Sequence, residues 1–198
     1  MKDQGEDNIA KRKSRVIVIS SVSGGGKTSL IRVLMRNHPE LQVAITATSR
    51  KPREGEVDGV HYYFYDKEEF QRKVERDEFL EHALVHGNYY GVPAAPLYEN
   101  LDQGKSVILN IDVQGKRTAH RKLGERVLSI FLMPPNRDVW EERLRNRGTD
   151  AEQDIQRRLR EGHQEMKFAS EFDYRVVNEL LESAAGEVSM ILKEEGVL

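Results

Sequence analysis

Cysteine is absent from the chain, which excludes disulfides, thiolate metal sites and a cysteine nucleophile, and fits a reducing compartment such as the cytoplasm. No apolar run approaches the ~20 residues that a membrane-crossing helix needs. Residues 1–14 are polar and charged with no apolar stretch, so no signal peptide is expected there and the segment reads as an unstructured arm. Neither charge sign is in excess, since 31 Lys and Arg face 33 Asp and Glu for a net charge of -2. That balance argues against a duplex nucleic-acid binder or a protein held on anionic membranes, and shifts attention to local basic clusters. Internal repeats and low-complexity tracts are also lacking. What is present is 38% hydrophobic residues beneath a surface with 32% charged ones, enough across 198 residues for one compact core with insertions.

Short unbroken β-branched and apolar runs alternate with helical patterns. Val16-Ile17-Val18-Ile19, Val107-Ile108-Leu109-Asn110-Ile111, Val127 through Met133, and Tyr174-Arg175-Val176-Val177 read as buried strands. A further β-like stretch covers residues 43–48. Helices are predicted from Thr28 to about Asn37, over 67–75, from a cap at Asn136 to about 146, over about 151–167, and over 179–194. This order predicts an α/β fold with a mostly parallel sheet. The stretch between Thr46 and Tyr98 has strand signals of its own and reads as an insertion. Residues 140–169 are helical and highly charged, which suits a mobile cap rather than core.

Between the first strand and first helix lies Ser21-Val22-Ser23-Gly24-Gly25-Gly26-Lys27-Thr28. It fits G-x-x-x-x-G-K-[ST] except that Ser21 replaces the first Gly. Backbone N–H groups that turn inward around phosphate oxygens need residues without Cβ clashes, and three consecutive glycines supply them. The following helix aims its positive end at the same anion. Lys27 adds a mobile charge, and the Thr28 hydroxyl is a ligand type for Mg²⁺. The strand before and the helix after favour this reading over a chance glycine turn. A dinucleotide-binding G-x-G-x-x-G reading fails, because Ser29 stands where its third Gly belongs.

Such a loop indicates only a nucleoside triphosphate. Further segments are more specific: Thr48-Ser49-Arg50-Lys51-Pro52-Arg53-Glu54-Gly55-Glu56-Val57-Asp58-Gly59, then Glu81 followed by Gly87-Asn88-Tyr89-Tyr90-Gly91, then Ile111-Asp112-Val113-Gln114-Gly115. Arg147-Gly148-Thr149-Asp150 and Phe172-Asp173-Tyr174 with Val177-Asn178 come later. In order and spacing, from about Arg15 to the C-terminus, these blocks resemble the guanylate kinase family. The resemblance implies a P-loop NTPase core with a GMP-binding insertion and a helical lid. The implied bounds are an arm over 1–13, a core over 14–46, 98–139 and 170–198, an insertion over 47–97 and a lid over 140–169. It also implies ATP and GMP as substrates, dGMP as a further acceptor, Mg²⁺ as cofactor, and a monomer or simple homo-oligomer.

Residue roles follow from the same resemblance. Residues 21–28 hold the ATP phosphates, with Arg143, Arg147 and Arg158 folding over them from the lid and Asn178 near the adenine. Arg50, Arg53, Tyr62 and Tyr90 clamp the GMP phosphate, a task to which paired guanidinium forks and phenol hydroxyls are suited. Glu81 accepts hydrogen bonds from the guanine N1 and amino groups, and Thr46 contacts the base. Thr28 and Asp112 are the metal-side residues, Asp112 and Val92 also belong to the implied GMP-binding set, and Lys27, Arg50, Arg147 and Arg158 carry the chemistry. Two positions depart from the family pattern. Val92 stands where a Ser or Thr usually reaches the guanine carbonyl, and Asn110 where an acidic residue is usual. Two alternatives stay open: a non-catalytic guanylate-kinase-like binding module, against which the intact Gly26-Lys27-Thr28 argues, and a kinase for ribose 1,5-bisphosphate, which can carry Val after Tyr-Tyr-Gly.

Overall fold

The computed structural model describes residues 14–85, 87–146 and 152–198. Strand β1 (Val16–Ser21) is buried along its whole length, because it runs through the middle of a five-stranded sheet. Its neighbours are β7 (Val107–Asn110) and β8 (Val127–Met133), with β2 (Gln42–Val43) and β9 (Tyr174–Val177) at the edges. Every pairing in this sheet is parallel. A parallel strand covered on both faces requires a continuous apolar run, and alternate residues serve different layers. Val16 and Val18 enter one core cluster, and Ile17 and Ile19 the other.

Helices α1 (Lys27–Asn37) and α7 (Leu181–Glu194) cover the isoleucine face through Leu30, Leu34, Val188 and Leu192. The valine face is covered by α3 (Ala94–Asp102), α4 (Val113–Leu123), α5 (Arg137–Arg145) and α6 (Glu152–Met166). The chain is thus α/β with a parallel sheet between helical layers. A second, mixed sheet has the order β4 (Tyr63–Phe64), β3 (Ala47–Thr48), β6 (Asn88–Pro93) and β5 (Phe79–Val85). It carries α2 (Lys67–Glu75), started by an Asp66 carboxylate that accepts from the Glu69 N–H at 2.6 Å. This lobe has a small core of its own. Phe70, fully buried, stacks on Phe79 at 4.5 Å and on Tyr89 at 5.3 Å.

The helix over 67–75 and the strand over 127–133 have the bounds their sequence patterns predict. Other expectations change. The single β-like stretch over 43–48 is two short strands in different sheets, and residues 44–46 are the crossing between them. Helices α3 and α4 have little sequence signal. The first has Pro96 in its opening turn, which a helix start tolerates. The second contains Gly115 and buries only Val113, Gly115, Lys116 and Ala119. Within the charged segment over 140–169, Trp140, Leu144, Ile155, Leu159 and Ala169 form a stripe buried against the valine-face core. Glu152, Arg157 and Glu161 are on exposed helix faces, whereas Arg158 and Glu165 face the glycine loop. Among the described residues no helix is long and apolar enough to cross a membrane.

Because Phe70 anchors a separate small core, Phe70→Ala is expected to destabilise the second lobe by about 3–5 kcal/mol. Hydrogen exchange should accelerate in β5 and β6 while β1 and β8 stay protected. Equal acceleration in both sheets would show that the lobe has no separate core.

Candidate active site

The turn after β1 is where the chain's geometry is tightest. Gly24 and Gly26 have φ of 86° and 96°, left-handed values that favour glycine. Gly25 is constrained differently: a Cβ there would lie 1.8 Å from the Ser21 hydroxyl oxygen. The residue that departs from the loop motif therefore fills the space that Gly25 leaves open. Asn178, only 4% exposed, donates from Nδ2 to the Gly25 carbonyl at 2.9 Å. Trp140 donates from its indole N–H to the Ser23 carbonyl at 2.7 Å, and Arg158 Nη1 reaches the Ser23 hydroxyl at 3.1 Å.

This loop borders a cavity of about 340 Å³ into which α1 directs its N-terminus. Lys27 Nζ lies 3.5 Å from the Ile111 carbonyl. Burial pushes the Lys27 pKa below its ordinary value, against the opposing pull of Asp112 and Glu165. Both carboxylates line the same cavity, as does Thr28. Burial raises the pKa of Glu165, with Lys27 pulling it the other way. Asp112 also caps α4, accepting the Gly115 N–H at 2.8 Å.

A second cavity of about 340 Å³ opens between the two sheets, and Asp112 lines both. Thr46, Tyr62, Glu81, Tyr90 and Asn110 surround it. Glu81 accepts no hydrogen bond from any described residue, and its pKa is pushed up to about 7, first by burial and then by the charge of Asp112. The rings of Tyr62 and Tyr90 meet at 6.3 Å. Beside them Arg50 forms a two-pronged pair with Glu56 at 2.6 and 2.8 Å and lies 5.2 Å over the Tyr62 ring. That pairing raises the Arg50 pKa further and holds Glu56 down at about 2. Glu56 also accepts the Arg53 backbone N–H at 2.7 Å, so one carboxylate organises both ends of the arginine turn.

The structure therefore gathers Lys27, Thr28 and Asp112 at one cavity and Thr46, Tyr62, Glu81 and Tyr90 at the other, with Arg50 against the tyrosine pair. Other expected residues lie elsewhere. Val92, the cross-strand neighbour of Glu81, is fully buried in the valine-face core and is not at the cavity wall. Asn178 sits beneath the loop as a backbone pin. Arg143 Nη2 donates to the Glu179 carbonyl at 3.2 Å, outside the loop cavity. The Arg53 side chain is exposed, and Arg147 lies outside the described residues. Glu165, Glu56 and Trp140 escaped the sequence reading. Only Glu56 had a usable signal, standing three residues after Arg53 in the motif block.

Residues 13–195 match the sequence model of the family described as guanylate kinase. The guanylate kinase of Neisseria gonorrhoeae is 45% identical over 183 residues, covering 92% of this chain and 89% of that protein. The one from Carboxydothermus hydrogenoformans is 41% identical over 183 residues, with the same coverage of 92% and 89%. A crystal structure of guanylate kinase from Anaplasma phagocytophilum is similar at a TM-score of 0.76 and 35% identity, covering 94% of this chain and 88% of that one.

The packing of Ser21 under Gly25 predicts a compensating pair. Gly25→Ala alone is expected to destabilise the protein by about 1–3 kcal/mol, and adding Ser21→Gly should recover most of the loss. Denaturant unfolding of the two single variants and the double variant measures the coupling. Additive effects would show that the hydroxyl and the missing Cβ do not compete for one space.

Proposed function

The chain belongs to the guanylate kinase family, and from that premise we infer how its two cavities divide one reaction, the transfer of the terminal phosphoryl group of ATP to GMP to give ADP and GDP. The observation that carries the division is Asp112, which lines both cavities, with Lys27 on one side and Glu81 on the other. ATP takes the cavity under the glycine loop. GMP takes the cavity between the sheets.

On the acceptor side, Glu81 in its ionised form accepts from the two adjacent donors of guanine, N1–H and the 2-amino group. Thr46 offers a hydroxyl at the same cavity. Val92 contributes packing alone, so guanine selection falls mainly on Glu81. Arg50 and Arg53, with Tyr62 and Tyr90, hold the GMP phosphate. Arg50 is already oriented by Glu56, so little side-chain freedom is lost when the phosphate arrives.

The GMP phosphate has a second pKa near ~6 and is largely a dianion at neutral pH, so no general base is required. One of its oxygens bonds to the γ-phosphorus while the bond from that phosphorus to the β–γ bridging oxygen breaks. The electron pair leaves on ADP. Catalysis is then positioning plus stabilisation of charge spread over the transferred group and the leaving oxygen. Lys27 supplies positive charge from the loop side, with Arg143, Arg147 and Arg158 assigned to the lid, of which Arg158 already reaches the Ser23 hydroxyl. Insertion 47–97 and lid 140–169 are the parts expected to close, excluding water that would otherwise hydrolyse ATP.

Among the described residues no cluster of three or more His, Cys, Asp or Glu could cage a metal ion. What the loop cavity offers is the Thr28 hydroxyl and the Asp112 carboxylate. That donor set suits Mg²⁺, which takes most of its ligands from phosphates and water. Bound there, Mg²⁺ would neutralise charge on the β- and γ-phosphates. Use of dGMP and a cytoplasmic location belong to the same proposal.

Two measurements test the reading. With ATP and Mg²⁺, coupled ADP release should be strong with GMP, weaker with IMP, which lacks the amino group, and negligible with AMP. Turnover with none of these, or only with ribose 1,5-bisphosphate, would overturn it. Lys27→Ala should lose about 10²–10³ in kcat with an unchanged circular dichroism spectrum.

Glu81 gives a pH signature. In the empty protein its proton leaves near pH 7, whereas an ordinary glutamate loses it near 4.5. Folded protein thus holds a proton that unfolded chain releases, and this group's contribution to stability falls as pH rises from 4.5 to about 7. Guanine binding needs the ionised form, so affinity should follow the opposite trend. Calorimetry with guanosine, which has no titrating phosphate, should show binding about tenfold weaker at pH 6 than at pH 8, with proton release at pH 6. Flat affinity, or Glu81→Gln with unaltered affinity, would remove Glu81 from guanine recognition.

A further inference from the structure

The glycine loop is braced from outside by a residue to which neither its motif nor the reaction above assigns a role. Trp140, the chain's single tryptophan, is fully buried on α5. A buried indole N–H needs an acceptor, and here that acceptor is the Ser23 carbonyl of the loop at 2.7 Å. The six-membered ring presses on α6 at Gly162. A Cβ at that glycine would come within 2.4 Å of Cζ2 and 2.6 Å of Cη2, and within 3.2 Å of Val22 Cβ. Helix α6, the indole and the loop are in contact with no room for one methyl group. One turn along α5, Leu144 closes on Gly24, where a Cβ would lie 2.8 Å from Cδ2.

This contact fixes a direction. A trans peptide unit is planar, with its C=O and N–H pointing opposite ways. Holding the Ser23 carbonyl toward α5 therefore turns the Gly24 N–H away from α5. Asn178 does the same two residues on, since its bond to the Gly25 carbonyl turns the Gly26 N–H away from Asn178. Gly24 and Gly26 both line the loop cavity. Filling space alone would not require the indole N–H to end on a loop carbonyl.

We propose that Trp140 is a positioning residue for the donor triphosphate: its indole fixes the peptide between Ser23 and Gly24 before nucleotide arrives, and Gly162 is the space that lets it do so. The proposal rests on the assignment of ATP to this cavity. It makes the root of the charged helical segment part of the phosphate site, and it predicts that donor affinity, not acceptor affinity, depends on this indole.

The full-length protein tests it without mutation, because all tryptophan emission comes from Trp140. ATP with Mg²⁺ is titrated while emission and binding heat are followed in parallel. Emission should change over the concentrations at which calorimetry registers binding. Trp140→Phe, which keeps an aromatic ring without the N–H, should raise the KM for ATP about tenfold and leave the KM for GMP within about twofold. Gly162→Ala, which displaces the ring, should do the same. Binding heat with unmoved emission, or equal rises in both KM values, would overturn the proposal while leaving the donor site intact. If both variants fail to fold, the emission titration decides. Absence of any ATP binding heat would instead overturn the donor-cavity assignment, and this proposal with it.

Discussion

A lysine ammonium drawn out of water at the edge of a parallel sheet is the constraint around which the site is arranged. Desolvation disfavours the charged form of Lys27, and two carboxylates and a backbone carbonyl nearby offset part of that cost. Asp112 and the Ile111 carbonyl are in place because β1 and β7 are adjacent and in register, with Ile19 opposite Asn110, while Glu165 comes from α6. The segments leaving both strands, the glycine loop and residues 111–112, therefore emerge side by side. The phosphates of ATP bring more negative charge than these carboxylates supply. In the proposed donor site, a cation already partly desolvated would meet them with little solvent left to rearrange.

The two carboxylates nearest the shared wall are treated differently by their surroundings. Asp112 has one oxygen engaged by the Gly115 N–H at the start of α4. Glu81 has no such donor among the described residues, and burial beside Asp112 leaves its proton bound to near neutrality. Gly115 allows this proximity, since a Cβ there would lie 3.3 Å from a Glu81 oxygen and 3.0 Å from Ile111 Cβ. The same glycine serves as capping donor and as clearance, which explains its place inside a helix despite its cost there. Across the cleft, Glu56 gives Arg50 a fixed orientation before any ligand binds.

The second lobe keeps a core of its own, small and largely aromatic, and is joined to the main sheet by residues 44–46 and by α3, which follows β6 directly. Leu80 of β5 and Val92 of β6 are nevertheless buried in the valine-face core, so the lobe is also anchored to the parallel sheet. The helices over 140–169 are different. Their buried stripe belongs to the main core, and Trp140 ties them to the glycine loop. Charge alone reads as a solvated cap because the few apolar residues on each helix are diluted by Arg and Glu on its other faces.

What the amino-acid sequence determined by itself was contiguous or periodic. The glycine loop with Lys27 and Thr28, the buried run of β1, the strand over 127–133 and the helix over 67–75 could be read because each is encoded within a few neighbouring residues. Arg50, Glu81 and Tyr90, which the structure brings to or beside one cavity, were singled out only through blocks whose order resembles a family, since no local chemistry sets a cavity carboxylate apart from a solvated one. The tertiary structure alone decided the rest. It buried Val92 in the core, placed Asn178 under the loop, packed Ser21 against Gly25, and brought Trp140 to Ser23 across 117 positions of sequence. Those contacts are set by sheet order and helix packing, which depend on the summed burial of many distant residues and leave no pattern at any single spacing along the chain.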